Sequence, residues 1–216
     1  MNIAFRVDAS PQIGNGHLSR CLSLAQSLQK IGAKTSFILS SISDSMQRTL
    51  EEHSIEVELI QGNDEVAACK ELLAGDFEWL VIDHYLLDIQ FEEAMRSVVS
   101  KIAVIDDLIR NHDCDLLVDQ NLGRKDQDYR DKVPKGCDIL TGTPYTLLEQ
   151  AFRKERQEEV RARNQLDRIL CYFGGGGVEK IIMSAIEALD ERQLRFDLVL
   201  GNNDLPTVRE RAAKSK

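Results

Sequence analysis

Proline is scarce in this chain, with 4 in 216 residues, and glycine numbers only 13, which excludes collagen-like and linker-dominated architectures. No apolar run approaches the roughly 18 residues of a membrane span. The first residues run straight into an apolar strand with no charged-then-greasy leader, so a secretory signal is not expected and the expected compartment is the cytoplasm. Positive charge is in short supply: 27 Lys and Arg face 36 Asp and Glu, a net charge of −9, so neither a phosphate-tracking nucleic-acid surface nor a membrane-docking patch is expected. The five cysteines, Cys21, Cys69, Cys114, Cys137 and Cys171, are odd in number, widely spaced and without a C-x-x-C pair. That argues against a disulfide framework and a zinc ribbon, and all five read as structural thiols.

What is present is the balance of a soluble globular protein, 43% hydrophobic and 29% charged, long enough for one large α/β domain or two small ones. Short apolar runs alternate with amphipathic stretches, the pattern of β-α-β units on a mostly parallel sheet. Strands are expected over Ile3–Val7, Thr35–Leu39, Ile55–Ile60, Trp79–Ile82, Ile102–Ile105, Leu116–Val118 and Asp138–Leu140. Helices are expected over His17–Ile31, Ser45–Glu52, Asp64–Leu73 and Ile89–Val99, with Gly32 as the stop of the first. Ligands of parallel sheets gather outside the carboxyl ends of the strands, and there the polar residues Asp8, Asp83, Asp106, Asp107 and Asp119 collect.

A shift in composition follows. Phe152–Asp167 is strongly charged, with Arg153, Lys154, Arg156, Arg161 and Arg163 among Glu155, Glu158 and Glu159 at helical spacings, and reads as a solvated connecting helix. Beyond it come a strand at Arg168–Phe173, the glycine run Gly174–Gly177, a helix at Val178–Leu189, a strand at Phe196–Leu200 and a polar tail. The expected organisation is an α/β domain over 1–150, a linker helix over 151–167 and a partial second α/β domain over 168–216, too small to close a core alone.

Four constellations could carry chemistry. Asp8-Ala-Ser-Pro-Gln-Ile-Gly-Asn-Gly-His17 joins the first strand to the first helix. Gly14 and Gly16 allow close backbone approaches, and free N–H groups at the helix start favour a polar or anionic ligand. The dipole end should favour a neutral imidazole at His17, the form a general base requires; alternatively His17 merely caps the helix. Arg20 shares its side of the helix and either holds a phosphate or carboxylate ligand or pairs with Asp8 or another strand-end carboxylate. The cluster Asp106, Asp107, His112, Asp113, Asp115 and Asp119, with Asp83 and His84 nearby, has no recognised ligand spacing, so turns, caps and hydroxyl contacts are expected rather than a metal. Gly174, Gly175 and Gly176 either admit a diphosphate to the backbone or form a plain turn. Position alone makes Asp8, Asp83 and Tyr85 candidates for ligand contacts at that rim.

The run Phe5-Arg-Val-Asp-Ala-Ser-x-x-Ile-Gly-x-Gly-His17-x-x-Arg20-Cys-Leu-x-Leu-Ala resembles the opening of the UDP-2,4-diacetamido-2,4,6-trideoxy-β-L-altropyranose hydrolases of pseudaminic acid biosynthesis. These belong to the two-domain GT-B superfamily, alongside the MurG-type glycosyltransferases. Val81-Ile-Asp-His-Tyr-x-Leu-Asp88, Val104-Ile-Asp-Asp107, Asp115-Leu-Leu-Val-Asp-Gln-Asn-Leu-Gly123 and Leu140-Thr-Gly-Thr-Pro-Tyr-Thr-Leu-Leu148 are similar to the same family in the same order. The resemblance implies hydrolysis of a UDP-sugar at C1–O, releasing UDP, with His17 activating water and with no metal or cofactor. Two departures stand out. Gly176-Gly177-Val178 replaces the family's Ser-Asp-Pro, and the sequence ends before the family's Gly-Gly-Ser-Thr-like segment and the Glu that grip uridine. A second domain cut short, weak UDP binding and a homodimer covering its open sheet are therefore expected. A GT-B glycosyltransferase and a non-catalytic binding module are the competing functions.

Overall fold

The computed structural model describes residues 1–9, 15–42, 44–156, 166, 168–173, 179–192, 194–200 and 205–214. The chain divides into two compact units, one holding 1–10 with 16–155, the other 11–15 with 156–216.

In the first unit seven parallel strands lie in the order β3-β2-β1-β4-β5-β6-β7. They are β1 Asn2–Val7, β2 Lys34–Leu39, β3 Glu56–Leu59, β4 Trp79–Asp83, β5 Lys101–Ile105, β6 Leu116–Asp119 and β7 Asp138–Thr141. All seven sit where the alternating apolar runs place them. The helices are α1 Gly16–Gln29, α2 Asp44–Glu52, α3 Glu65–Leu72, α4 Ile89–Met95 and α5 Gln150–Glu155, with 3₁₀ turns at Asp126–Asp128 and Thr143–Tyr145.

Side chains along a strand alternate between faces, and here that splits the core in two. Phe5, Val7, Phe37, Leu39, Val81 and Ile105 pack on one face with Leu18, Cys21, Leu22 and Ala25 of α1. Ala4, Ile38, Leu80, Ile82 and Val104 pack on the other with Cys69 of α3 and Phe91 and Met95 of α4. Burial of strands on both faces is what a parallel sheet requires. Gly32, at φ +89°, ends the first helical segment in the left-handed region, as the sequence suggests. Asp64 caps α3 through Ala67 N at 3.0 Å, and Asp88 caps α4 through Gln90 N at 3.0 Å. The fourth helix stops at Met95 rather than Val99. The β-branched pair Val98-Val99 propagates a helix poorly, and the Arg96 guanidinium is drawn off to Asp113 and Asp115.

The second unit has two parallel strands, β8 Arg168–Tyr172 and β9 Arg195–Val199, with α6 Glu179–Glu191 and α7 Pro206–Ala213. Ile182, Ile186 and Val208 form its buried centre. The segment read from sequence as a polar tail thus contains a helix. Its apolar stripe is reduced to Val208, too thin to register as a period, while Pro206 sits in the first turn where a missing N–H costs nothing.

Candidate active site

Helices following β1 and β4 leave on opposite faces of the sheet, so the carboxyl ends of these neighbouring strands flank the topological switch point. Asp8 lies just past β1 and Asp83 ends β4. Two residues apart in an extended chain, Arg6 and Asp8 face the same way. Arg6 Nη1 donates to Asp8 Oδ1 at 2.7 Å and Nη2 to Oδ2 at 3.1 Å. Ser40 N also donates to Asp8 Oδ1 at 2.8 Å. His84 Nδ1 accepts from Leu86 N and Leu87 N, which leaves its proton on Nε2, 3.0 Å from Asp8 Oδ2. Burial works to raise the Asp8 pKa, but the hydrogen bonds from His84 and Arg6 overcome it and hold the carboxyl well below its ordinary range.

Asp83 shares the sheet face of Val81, the face that α1 covers, and Arg20 reaches it from that helix. The guanidinium fork closes on the carboxylate with Nε–Oδ2 and Nη2–Oδ1 both at 2.5 Å. Of the two roles open to Arg20 in the sequence, the structure forms the pair with a strand-end carboxylate. Asp8 and Asp83 are both buried, their oxygens committed to neighbouring side chains.

His17, second residue of α1, is 8% exposed, and its Nδ1 is buried without a hydrogen-bond partner among the described residues. The Tyr85 ring meets it edge-on, centroids 4.6 Å apart and planes at 77°. Tyr85 itself is 46% exposed and donates its hydroxyl to Asp107 Oδ2 at 3.0 Å. Arg20 Nη1 stands 3.7 Å from the same oxygen. Burial lowers the His17 pKa; Asp83 and Asp107 pull it up, Arg20 and His84 push it further down, and the balance stays below the ordinary value. The imidazole is neutral near pH 7, as the sequence suggests, with burial rather than the helix dipole as the leading cause.

Gly16 is the exposed first residue of α1, and a Cβ there would meet no atom of the described residues within 4 Å, so their packing does not demand glycine. Gly14, Gly174, Gly175 and Gly176 lie outside the described residues.

The acidic cluster of the sequence is split: Tyr129 Oη donates to both Asp106 and Asp119 at 2.9 Å, while Asp113 and Asp115 turn to a separate cation. Arg96 takes Asp113 and Asp115, at 2.9 and 2.5 Å, and Arg124 takes Asp119. His112 lies between Glu92, whose Oε1 is 2.6 Å from Nδ1, and Asp106, whose Oδ1 is 3.6 Å from Nε2, an electrostatic contact rather than a hydrogen bond. Among the described residues no group of three or more His, Cys, Asp or Glu side chains is arranged to hold a metal. A crevice of about 360 Å³ lined by Asn2, Gln29, Lys34 and Glu56 lies at the amino ends of β1 to β3, away from all of these groups. Sequence reasoning missed Arg6, Glu92 and Tyr129. For Arg6 and Glu92 a signal existed, a charge within an apolar strand and on the inner face of a helix; for Tyr129, in a polar loop, there was none.

No family model matches the chain. Its fold is shared with Acinetobacter baumannii MurG, at TM-score 0.62 and 12% identity over 99% of this chain and 64% of that one. A UDP-GlcNAc 2-epimerase from Neisseria meningitidis, solved with UDP-GlcNAc, matches at TM-score 0.51 and 10% identity over 100% and 70%. The class is therefore α/β of the GT-B type. Among curated proteins, the UDP-2,4-diacetamido-2,4,6-trideoxy-β-L-altropyranose hydrolase of Campylobacter jejuni is 30% identical over 197 residues, 90% of this chain and 68% of that protein. An uncharacterized protein of Methanocaldococcus jannaschii is 25% identical over 100% of this chain and 46% of its own length. The chain belongs to the altropyranose hydrolase family. It spans about two thirds of the C. jejuni protein and under half of the M. jannaschii one. Among the described residues no helix is long and apolar enough to cross a membrane.

Proposed function

We propose that this chain acts as a nucleotide-sugar hydrolase that cleaves a UDP-linked 2,4-diacetamido-2,4,6-trideoxyhexose at the sugar C1–O bond. The observation that carries the reading is the place of His17, buried beside Tyr85 at the switch point of the sheet, in a chain of this family. With Nδ1 buried, Nε2 is the base nitrogen. It takes a proton from water as the water oxygen bonds to C1; the C1–O bond breaks, and its electron pair leaves on the diphosphate. Diphosphate is a good leaving group, so charge stabilisation can stand in for a strong general acid. One base acting opposite the leaving group gives inversion at C1.

Of the three rim candidates, Tyr85 is the one exposed to meet the sugar; Asp8 and Asp83 act from behind, fixing His84 and Arg20. Gly14, Gly16 and Gly174–Gly176 are proposed as backbone contacts for the sugar and the diphosphate. The free sugar suits pseudaminic acid synthesis. The test is UDP release from the UDP-sugar with no acceptor added. The parent chain releases UDP, and His17→Leu does so at least about 100-fold more slowly while keeping its fold. Equal turnover by the two would remove His17 from the role, and release only with an acceptor sugar would make the protein a glycosyltransferase.

A further inference from the structure

We propose that Asp107 is a positioning residue for His17, acting on the imidazole through the Tyr85 ring and through its own negative charge. The proposal rests on the reading of His17 as the base.

Asp107 follows Asp106 just past β5, and the two carboxylates serve different partners. Asp106 turns into the fold and accepts from Leu108 N, Arg110 N and Tyr129 Oη, which fixes the turn. Asp107 instead accepts the Tyr85 hydroxyl and acts on His17 through its charge. Its backbone is pinned as well, since Arg124 Nη2 donates to Asp107 O at 3.0 Å. The loop after β4 is tied to the same turn. Arg110 spans the gap, donating to Tyr85 O, Leu87 O and His84 O at 2.9–3.1 Å. Tyr85 thus has a fixed backbone and a hydroxyl held by Asp107 at 3.0 Å, and its ring edge sets one wall of the His17 site. Burial first, and then the bond to Asp107, raise the Tyr85 pKa, so the phenol remains the donor.

The charges facing His17 are those of Asp83, Arg20 and Asp107, with His84 and Tyr85 beside them. Arg20 closes both arms of its fork on Asp83 and only approaches Asp107, at 3.7 Å. Of these two carboxylates, Asp107 is therefore the one whose charge is less compensated, and its Oδ1 is buried with no hydrogen-bond partner among the described residues. It opposes the desolvation that would otherwise leave His17 too weak a base.

Two variants of the full chain separate the effects. Asp107→Asn keeps an acceptor for Tyr85 but removes the charge; Tyr85→Phe keeps the charge and ring but removes the tether. The His17 titration followed by imidazole NMR should move to lower pH in Asp107→Asn and by less in Tyr85→Phe. The acid limb of the kcat/KM profile should follow it, with kcat down about 10- to 100-fold in each variant. An unmoved His17 midpoint in folded Asp107→Asn overturns the proposal, as does parental kcat in either folded variant. If Asp107→Asn does not fold, Tyr85→Phe decides by kcat together with the His17 midpoint. A parent chain that hydrolyses no UDP-sugar strikes the hydrolase reading instead, and the NMR midpoints still decide whether Asp107 sets the base.

Discussion

Arg6 stands in the middle of an apolar strand with 1% of its side chain exposed, between the carboxylates of Asp8 and Glu65. A buried guanidinium is tolerated because every arm is used: Asp8, Glu65, Ser40 Oγ and the carbonyl oxygens of Val7 and Ile38 all accept from it. Removing it strands a buried carboxylate, which costs far more than the pair is worth against a hydrophobic substitute. Arg6→Met should lower stability by about 3–5 kcal/mol in urea unfolding at pH 7, and a loss under about 1 kcal/mol would contradict the role given to Asp8. His112 makes a pH-dependent counterpart. Burial pulls its pKa down, but the carboxylates of Asp106 and Glu92 push it up to about 9, against 6.5 for the free side chain. A raised pKa means that the folded state holds the proton more tightly than the unfolded chain. That contribution is complete below pH 6.5 and fades as pH climbs through about 9. Urea midpoints should fall between pH 6.5 and 9 in the parent, and this fall should flatten in His112→Gln; parallel curves would contradict it.

Among the elements, α4 is held at its start by a single side chain. Asp88 caps it through Gln90 N and Phe91 N, and the helix carries Glu92, the partner of His112, and Met95 of the core. Asp88→Ala should cost about 1 kcal/mol, read by urea unfolding, and an unchanged midpoint would show that the cap is idle. Most element positions were legible because the periods of 2 and 3.6 are clean along the first 140 residues. The misses share a cause. The overlong α4 and the unseen α7 are places where a few tertiary contacts, those of Arg96 and of Val208, outweigh a weak local pattern. His17 was legible as a candidate from the Gly-x-Gly-His motif, and Arg20 as its neighbour on the helix. Asp107 was visible as one strand-end carboxylate among several but not in its role, because its use depends on two loops that the chain brings together from 22 residues apart.

At the scale of the whole molecule, the sheet order β3-β2-β1-β4-β5-β6-β7 explains why chemistry concentrates where it does. Reversal of the winding direction between β1 and β4 parts their following helices, and the loops from both strand ends bring His17, Tyr85 and the strand-end carboxylates onto one rim. The sequence showed those polar ends but not which strands were neighbours, since pairing between strands more than 70 residues apart leaves no local trace. In the second unit, Phe196 and Leu198 of β9 pack against Ile182 and Ile186 while Leu170 and Tyr172 of β8 stay exposed, a thinner construction than the first. Hydrogen exchange should accordingly be slowest in β1, β4 and β5 and markedly faster in β8 and β9; equal protection would contradict that ranking. The central claim, water attack at the sugar carbon with His17 as base, is tested most directly by turnover of the UDP-sugar in ¹⁸O-labelled water with mass analysis of both products. The label should enter the free sugar and not UDP, with the first-formed anomer inverted. Label in UDP would mean cleavage at phosphorus and would contradict the mechanism.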